Sequence, residues 1–426
     1  MNRHLYSLLF HFCLPLIGLR LAWRAWRAPA YARRIGERFA LLPPLRPGGI
    51  WVHAVSVGES IAAAPLVREL LARYPDLPIT LTCMTPTGSE RIRALFPEAQ
   101  FAGRVQHCYL PYDLPWAAAR FLKQVRPKLA VIMETELWPN YIHQCARRGI
   151  PVALANGRLS ARSARGYGRF AKLTAPMLAE LNLLAVQTQV EAERFIALGA
   201  RPEAVEVTGS IKFDQQVDAE VSARASALRE QWQARQRPVW IAASTREGED
   251  ALVIQAHRRL LASQPDALLI LVPRHLERFD TAATQLREAG LTFVRRSSGE
   301  AVGPEVQVLL GDSMGELMFL YALADIAFVG GSLVETGGHN PLEPAALGLP
   351  VIMGPHRFNF LEITAQLLEH GALCEVADAD ALGDQVAVLL ANSMRAAAMR
   401  EAGLAVLKAN QGALKRLLDG LGRLLV

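Results

Sequence analysis

The stretch IWVHAVSVGESIAAAPLVRELLARYPDLPITLTCM (50–84) decides how the chain folds. It opens on a short apolar run, Ile50–Val55, and turns through a Ser/Gly segment into an amphipathic stretch, Ala62–Tyr74. It closes on a second apolar run, Ile79–Met84. Two short apolar runs separated by a helix predict a strand–helix–strand unit, and such units build parallel sheets covered on both faces.

The same alternation extends outward. Apolar runs recur at Tyr109–Tyr112, Leu129–Met133, Val152–Ala155 and Leu184–Gln187, with amphipathic stretches such as Ala117–Val125 between them. The pattern pauses over 205–237. It resumes at Val239–Ala243, Leu268–Val272, Thr292–Val294, Val306–Leu310, Ile326–Val329 and Val351–Met353, and from about Asp378 the chain reads as helical. The 426 residues therefore parse as two α/β halves, each large enough to bury a core. The expected division is a segment 1–30, a first domain 31–215, a linker 216–235 and a second domain 236–426 that includes the C-terminal helices. Neither half carries a G-x-G-x-x-G with a following acidic residue or a P-loop, which leaves dinucleotide enzymes and P-loop NTPases unsupported.

Charge is unevenly distributed. Residues 1–50 hold eight Arg against the single acid Glu37, while the remainder is nearly neutral, so the net charge of +6 does not describe a basic nucleic-acid surface. The basic segment begins with LYSLLFHFCLPLIGL (5–19) and runs on to Trp23 and Trp26, flanked by Arg20, Arg24, Arg27, Arg33 and Arg34. No small-residue cleavage site follows. We expect a membrane anchor helix, spanning or interfacial, with the body on the cytoplasmic side; a helix packed on the body is the competing reading. Five scattered cysteines without a CxxC indicate reduced thiols and no zinc site.

In open α/β sheets ligands bind beyond the carboxyl ends of the strands, so the turns leaving each strand carry the chemistry. Glu59 in WVHAVSVGES (51–60) stands where the first strand gives way to a helix, as a dipole-complementing surface residue or a general base. TPTGSE (85–90) has capping-box spacing between Thr87 and Glu90. METELWPN (133–140) places Glu134 and Glu136 two apart after a strand, where extended backbone would aim both at the cleft. NGRLSARSARGYGRF (156–170) spaces Arg158, Arg162, Arg165 and Arg169 for one helical stripe, either a solvated face or a phosphate contact. Lys212 in VTGSIKFD (207–214) stands at the junction of the halves, where on position alone it reads first as a solvated lysine.

In the second half, LVPRH (271–275) ends a strand with Arg274 and His275. GDSMGE (311–316) pairs Ser313 with Glu316 at capping-box spacing. FVGGSLVETGGHNPLEP (328–344) is glycine-rich and runs into a helix with Asn340 as its cap and Pro341 in its first turn. Capping explains Asn340 and Glu343, yet a glycine turn feeding a helix N-terminus also holds phosphates, and with Arg274 it suggests a nucleotide.

Taken together these stretches, with YLPYDLP (109–115), resemble the bacterial 3-deoxy-D-manno-octulosonic acid (Kdo) transferases along the whole chain and in the same order. The resemblance implies a GT-B glycosyltransferase, two Rossmann-like domains facing a central cleft, that moves Kdo from CMP-Kdo to lipid IVA, the lipid A precursor. Its location would be the cytoplasmic side of the inner membrane. It implies Glu59 as proton acceptor and Glu134 and Lys212 as transition-state stabilisers. CMP contacts fall on Pro273, Arg274, Met314, Gly315, Glu316, Asn340, Pro341, Leu342 and Glu343. No cofactor, metal site or nucleic-acid partner is expected. Glu37 and Arg38 in IGERFA (35–40) also fit the family but receive no role. Rival readings are a GT-B enzyme using a UDP-sugar and a catalytically silent membrane-anchored nucleotide-binding factor. Glu59, Glu134 and Lys212, at three separate strand ends, weigh against the second.

Overall fold

The computed structural model describes residues 1–101, 103–215, 217–232 and 237–425. The chain forms two compact units, 1–214 with 411–426 and 215–410. Each is built on a seven-stranded sheet, and every pairing in both sheets is parallel.

The first sheet comprises β1 (Ile50–His53), β2 (Ile79–Cys83), β3 (Val105–Tyr109), β4 (Leu129–Met133), β5 (Val152–Gly157), β6 (Leu183–Val186) and β7 (Val205–Val207) in the order β3-β2-β1-β4-β5-β6-β7. Alternate residues supply opposite cores, as a period of two requires. Ile50, Val52, Leu129 and Val131 face one layer with Leu66 and Leu70 of the helix Val57–Arg73. Trp51, Ala130 and Ile132 face the other with Phe121 and Tyr141. Both faces are buried, which is why the sequence shows continuous apolar runs rather than alternation.

The second sheet comprises β8 (Val239–Thr245), β9 (Leu268–Pro273), β10 (Phe293–Arg295), β11 (Val308–Leu310), β12 (Ile326–Val329), β13 (Val351–Met353) and β14 (Leu373–Glu375) in the order β10-β11-β9-β8-β12-β13-β14. Its two cores divide in the same way, Trp240, Ala242, Leu269 and Leu271 on one face and Val239, Ile241, Leu268 and Ile270 on the other.

Several expectations need correction. The third strand lies at Val105–Tyr109, not Tyr109–Tyr112, because this edge strand carries half-exposed Gln106 and His107 and lacks an apolar signature. The short edge strands β7 and β14 pair on one side only, which tolerates the polar Glu206 and Glu375. The proposed linker 216–235 contains a helix, Ala219–Gln231, whose Ala225 packs into the second unit together with Trp232; residues 216 and 233–235 lie outside the described residues. The last helix, Ala413–Gly422, belongs to the first unit rather than the second. Its Leu417 and Leu421 complete the core over β6, and Asp214 accepts from the N–H groups of Gly412 and Leu414, both at 2.6 Å.

The N-terminal segment is two helices, Arg3–Phe12 and Leu14–Arg27, bent by 52° where Pro15 follows the break. No single helix among the described residues is long and apolar enough to cross a membrane. The first helix is tied to the body: Ser7 Oγ donates to Asn140 Oδ1 at 3.0 Å, and Phe10 packs with Ala40, Leu114 and Ala117. Its outer side and the second helix leave Leu5, Leu8, Leu9, Phe12, Leu16, Leu19, Trp23 and Trp26 exposed.

Candidate active site

The first sheet reverses its strand order between β1 and β4, and the second reverses between β8 and β12 as well as at its β10-β11 edge. Crevices at such reversals are where open α/β sheets bind ligands. The expected residues gather at the carboxyl edges of the two sheets.

In the first unit Glu59 follows β1 as the third residue of the helix Val57–Arg73. Ser56 caps that helix, its hydroxyl accepting from Glu59 N and donating to Glu59 Oε1 at 3.2 Å. Val55 N donates to Glu59 Oε2 at 2.7 Å. The capping arrangement therefore fixes the carboxylate in place over the strand end. Burial pushes its pKa up to about 7; Val55 N–H and the Ser56 hydroxyl oppose the rise, and the nearby Glu136 and Glu134 reinforce it. A carboxylate that titrates near neutrality and is only half-covered suits general-base work.

Glu134 follows β4 on the other side of the reversal. Its backbone is left-handed, φ 53°, with its N–H bonded to Ala155 O at 2.9 Å. The expected extended geometry at 134–136 is thus replaced by a turn. A non-glycine residue held in this region is strained, and such strain concentrates at functional positions. Lys212 Nζ donates to Glu134 Oε1 at 3.1 Å.

The route by which Lys212 arrives there is visible only in three dimensions. After edge strand β7 the chain runs back across neighbouring strand ends. Thr208 N bonds Val186 O at the end of β6 at 2.9 Å, and Ile211 N bonds Asn156 Oδ1 near the end of β5 at 3.2 Å. Asn156 is fully buried with φ 54° and was not singled out in the sequence; its signal was the polar residue closing an apolar strand. Glu136 is likewise drawn in. Burial and the neighbouring Glu134 raise its pKa, and Tyr167, from the RSARGY stretch, donates to Thr135 O at 3.3 Å within the same turn.

The arginine stripe is looser than its spacing suggests. The helix spans Ala161–Gly168, so Arg158 precedes it and Arg169 caps its end, and Arg162, Arg165 and Arg169 are exposed. The cap of the TPTGSE helix is Thr85, not Thr87, with Gly88 N donating to Thr85 Oγ1 at 3.1 Å. Glu37 and Arg38 acquire a bracing role. Glu37 accepts from Arg34 Nε at 2.6 Å and from Tyr109 N at 2.8 Å. The buried Arg38 donates to Met84 O at 3.0 Å and lies over the Tyr109 ring. Met84 N in turn bonds Val55 O, the residue that holds Glu59.

In the second unit the turns after β9, β11 and β12 lie along one sheet edge. Pro273 closes β9 and is followed by Arg274, which donates its N–H to Thr245 O at 3.0 Å. Met314 is exposed beside Gly315, φ 85°. The expected Ser313 cap does not form, because the helix begins only at Leu317. Ser313 Oγ instead donates to Glu316 Oε2 at 2.6 Å, and Arg296 donates to Oε1 at 3.0 Å. Burial opposes ionisation of Glu316, but Ser313 and Arg296 outweigh it and hold the carboxyl below its usual range. Asn340 does cap, accepting from Leu342 N at 3.1 Å while its Nδ2 donates to Glu343 Oε1 at 3.3 Å. Pro341 and Leu342 are buried. Burial raises the pKa of Glu343, with Asn340 and Arg274 acting in the opposite direction.

What shapes the glycine loop is a residue the sequence reading missed. Glu249 is fully buried and accepts from the N–H groups of Arg246, Gly331, Ser332 and Leu333 at 2.5–3.1 Å. A Cβ on Gly330 would lie 2.8 Å from Glu249 Oε2, which explains why glycine stands there. The available signal was Gly-Glu-Asp opening a helix after β8.

Comparison with known proteins bears on the family of the chain and on its fold. The chain is 48% identical over 425 residues to a 3-deoxy-D-manno-octulosonic acid transferase of Haemophilus influenzae, covering 98% of each chain. The chain belongs to the Kdo transferase family. A Bordetella pertussis member of the same name is 42% identical over 443 residues, covering 99% of each chain. Residues 33–215 match the family described as 3-deoxy-D-manno-octulosonic-acid transferase (kdotransferase), and residues 241–405 match glycosyl transferases group 1. In fold the chain is similar to UDP-GlcNAc 2-epimerase from Neisseria meningitidis, with a TM-score of 0.58 at 14% identity over 88% of this chain and all of that one. This Kdo transferase is thus a glycosyltransferase of the GT-B type, with Glu59, Glu134 and Lys212 on its first unit and the glycine loop on its second.

Proposed function

We propose that the protein transfers Kdo from CMP-Kdo to lipid IVA on the cytoplasmic side of the inner membrane, with inversion at the anomeric carbon. The observation that carries this reading is the placement of Glu59 across the sheet reversal from the Glu134–Lys212 pair. A sugar hydroxyl has a pKa far above 7, so a base helps by accepting its proton as the new C–O bond forms. Glu59 receives that proton. The bond from the anomeric carbon to the phosphate oxygen breaks, and its electron pair leaves with CMP. Arg274 and the backbone around Asn340–Glu343 suit the departing phosphate and the nucleoside, while Lys212, positioned by Glu134, supplies positive charge near the reacting hydroxyl.

The exposed apolar side chains of the N-terminal helices, interspersed with Arg20, Arg24 and Arg27, support docking on an anionic lipid surface where such an acceptor is presented. The deciding experiment incubates the protein with CMP-Kdo and lipid IVA and weighs the lipid. Gain of one or more Kdo residues is expected. An unchanged mass, or equal transfer from a UDP-sugar, overturns the reading.

A further inference from the structure

The reversal between β8 and β12 in the second sheet is flanked by two turns, and together they bring an arginine and a histidine to one place. β8 ends in a register shift with Ser244 left-handed, φ 61°, and the displaced turn delivers Arg246. The loop after β12 delivers His339, whose N–H bonds Gly330 O at 3.1 Å. Arg246 Nε donates to His339 Nε2 at 3.2 Å, and Nη1 lies 2.5 Å from His275 Nε2. Burial, with Arg246 and Arg274 alongside, pushes the His339 pKa down to about 3, so the ring is neutral and can accept.

Two features of this cluster call for an anion. Arg246 and Arg274 are half-buried and brought side by side by the Arg274 N to Thr245 O bond, yet neither has a carboxylate within ion-pair distance among the described residues. The adjacent Glu247 is exposed and pairs with neither arginine, and Glu249, three residues on, is committed to four backbone N–H groups. Of the five N–H bonds of a guanidinium, two here are spent on imidazoles and three remain. The imidazoles also fix the plane of the group, which preorganises it for a bidentate acceptor.

We propose that Arg246, oriented by His339, is the subsite for the carboxylate that a ketosidic sugar acid carries on its anomeric carbon. The assignment rests on the donor proposed above. That donor presents two anions on one carbon, a phosphodiester and a carboxylate, and two adjacent guanidiniums match them, Arg274 for the phosphate and Arg246 for the carboxylate. An aldose nucleotide lacks the second anion and leaves Arg246 unsatisfied, so the same residue discriminates against it.

The test compares Arg246→Gln and Arg246→Lys with wild type, measuring KM for CMP-Kdo and the inhibition constant of CMP, which has no carboxylate. Arg246→Gln should raise KM about ten- to hundred-fold while CMP inhibition changes no more than about two-fold, and Arg246→Lys should recover part of the loss. Melting temperatures confirm that both variants fold. Equal weakening of CMP and CMP-Kdo would assign Arg246 to the phosphate and overturn the proposal, as would an unchanged KM. Wild-type protein that binds CMP but never turns over CMP-Kdo would overturn the donor reading and this inference with it.

Discussion

Lys212 Nζ lies 3.1 Å from Glu134 Oε1, joining the turn after β4 to a segment that has crossed back from the far edge of the sheet. Both side chains are about one-fifth to one-quarter exposed, so the pair is reachable by substrate. Partners that act as a unit are non-additive. Glu134→Gln and Lys212→Met should each lower kcat/KM about 100-fold or more, and the double variant should be little worse than either single one. Steady-state kinetics of the three variants measures the coupling; fully multiplicative losses would separate the two residues.

Glu134 occupies left-handed backbone that costs a non-glycine residue roughly 1–2 kcal/mol. Glu134→Gly relieves that strain but loses a partly exposed ion pair and gains unfolded-state entropy. Its stability should therefore fall within about 1 kcal/mol of wild type while transfer is lost. Denaturant midpoints alongside activity check this. A large drop in stability would give Glu134 a structural role.

Glu59→Gln keeps an oxygen for Val55 N–H and should leave the fold and CMP binding intact while transfer falls about 100- to 10,000-fold. CMP binding can be followed by calorimetry, since its expected contacts all lie in the second unit. Retained turnover removes Glu59 from the chemistry.

The elevated pKa of Glu59 sets a pH signature. The base form is required, so kcat/KM should rise with pH through about 7 and level off above it. Glu136→Gln removes the strongest neighbouring negative charge and should move that limb to lower pH. Stability responds in the opposite sense. The native state holds the proton more tightly than the unfolded chain between about 4.5 and 7, so Glu59 weakens the fold as pH rises through that window. Relative to wild type, Glu59→Gln should become more stable across it. A limb that stays fixed in both variants belongs to another group.

Glu249→Gln replaces a carboxylate that accepts four N–H bonds with an amide that can satisfy fewer. A loss of about 1–3 kcal/mol is expected from thermal unfolding, together with weaker CMP binding, because the glycine loop loses its anchor. Lost stability with unchanged CMP affinity would confine Glu249 to the core.

The strand–helix alternation was legible because parallel strands buried on both faces are written as short apolar runs. β3, β7 and β14 were harder to place, since edge strands admit residues such as His107, Glu206 and Glu375 that carry no apolar signal. The place of Glu59 at a strand end and a helix start was legible, but its reading as a base came from the family resemblance, because the same position suits a dipole-complementing residue. Glu134 and Lys212 were legible singly but not as a pair, because no spacing rule brings residues 78 positions apart into contact. Glu249, Arg246 and His339 were overlooked for a related reason. An acid opening a helix reads as a dipole-complementing residue, and only the returning loop after β12 shows what it grips. The capping boxes at Thr87 and Ser313 failed because Pro86 starts one helix early and the other begins only at Leu317.

The grip of Asp214 on Gly412 and Leu414 bears on how such a chain is assembled. Residues 215–410 leave the first unit and the chain then returns to it, so the second unit is an insert within the first rather than a successor to it. Such an insert can be exchanged as a cassette while the unit that carries Glu59, Glu134 and Lys212 stays unchanged. Shortening the chain from its C-terminus, by contrast, would first strip Leu417 and Leu421 from the core beneath β6, damaging the half that lies furthest away in sequence.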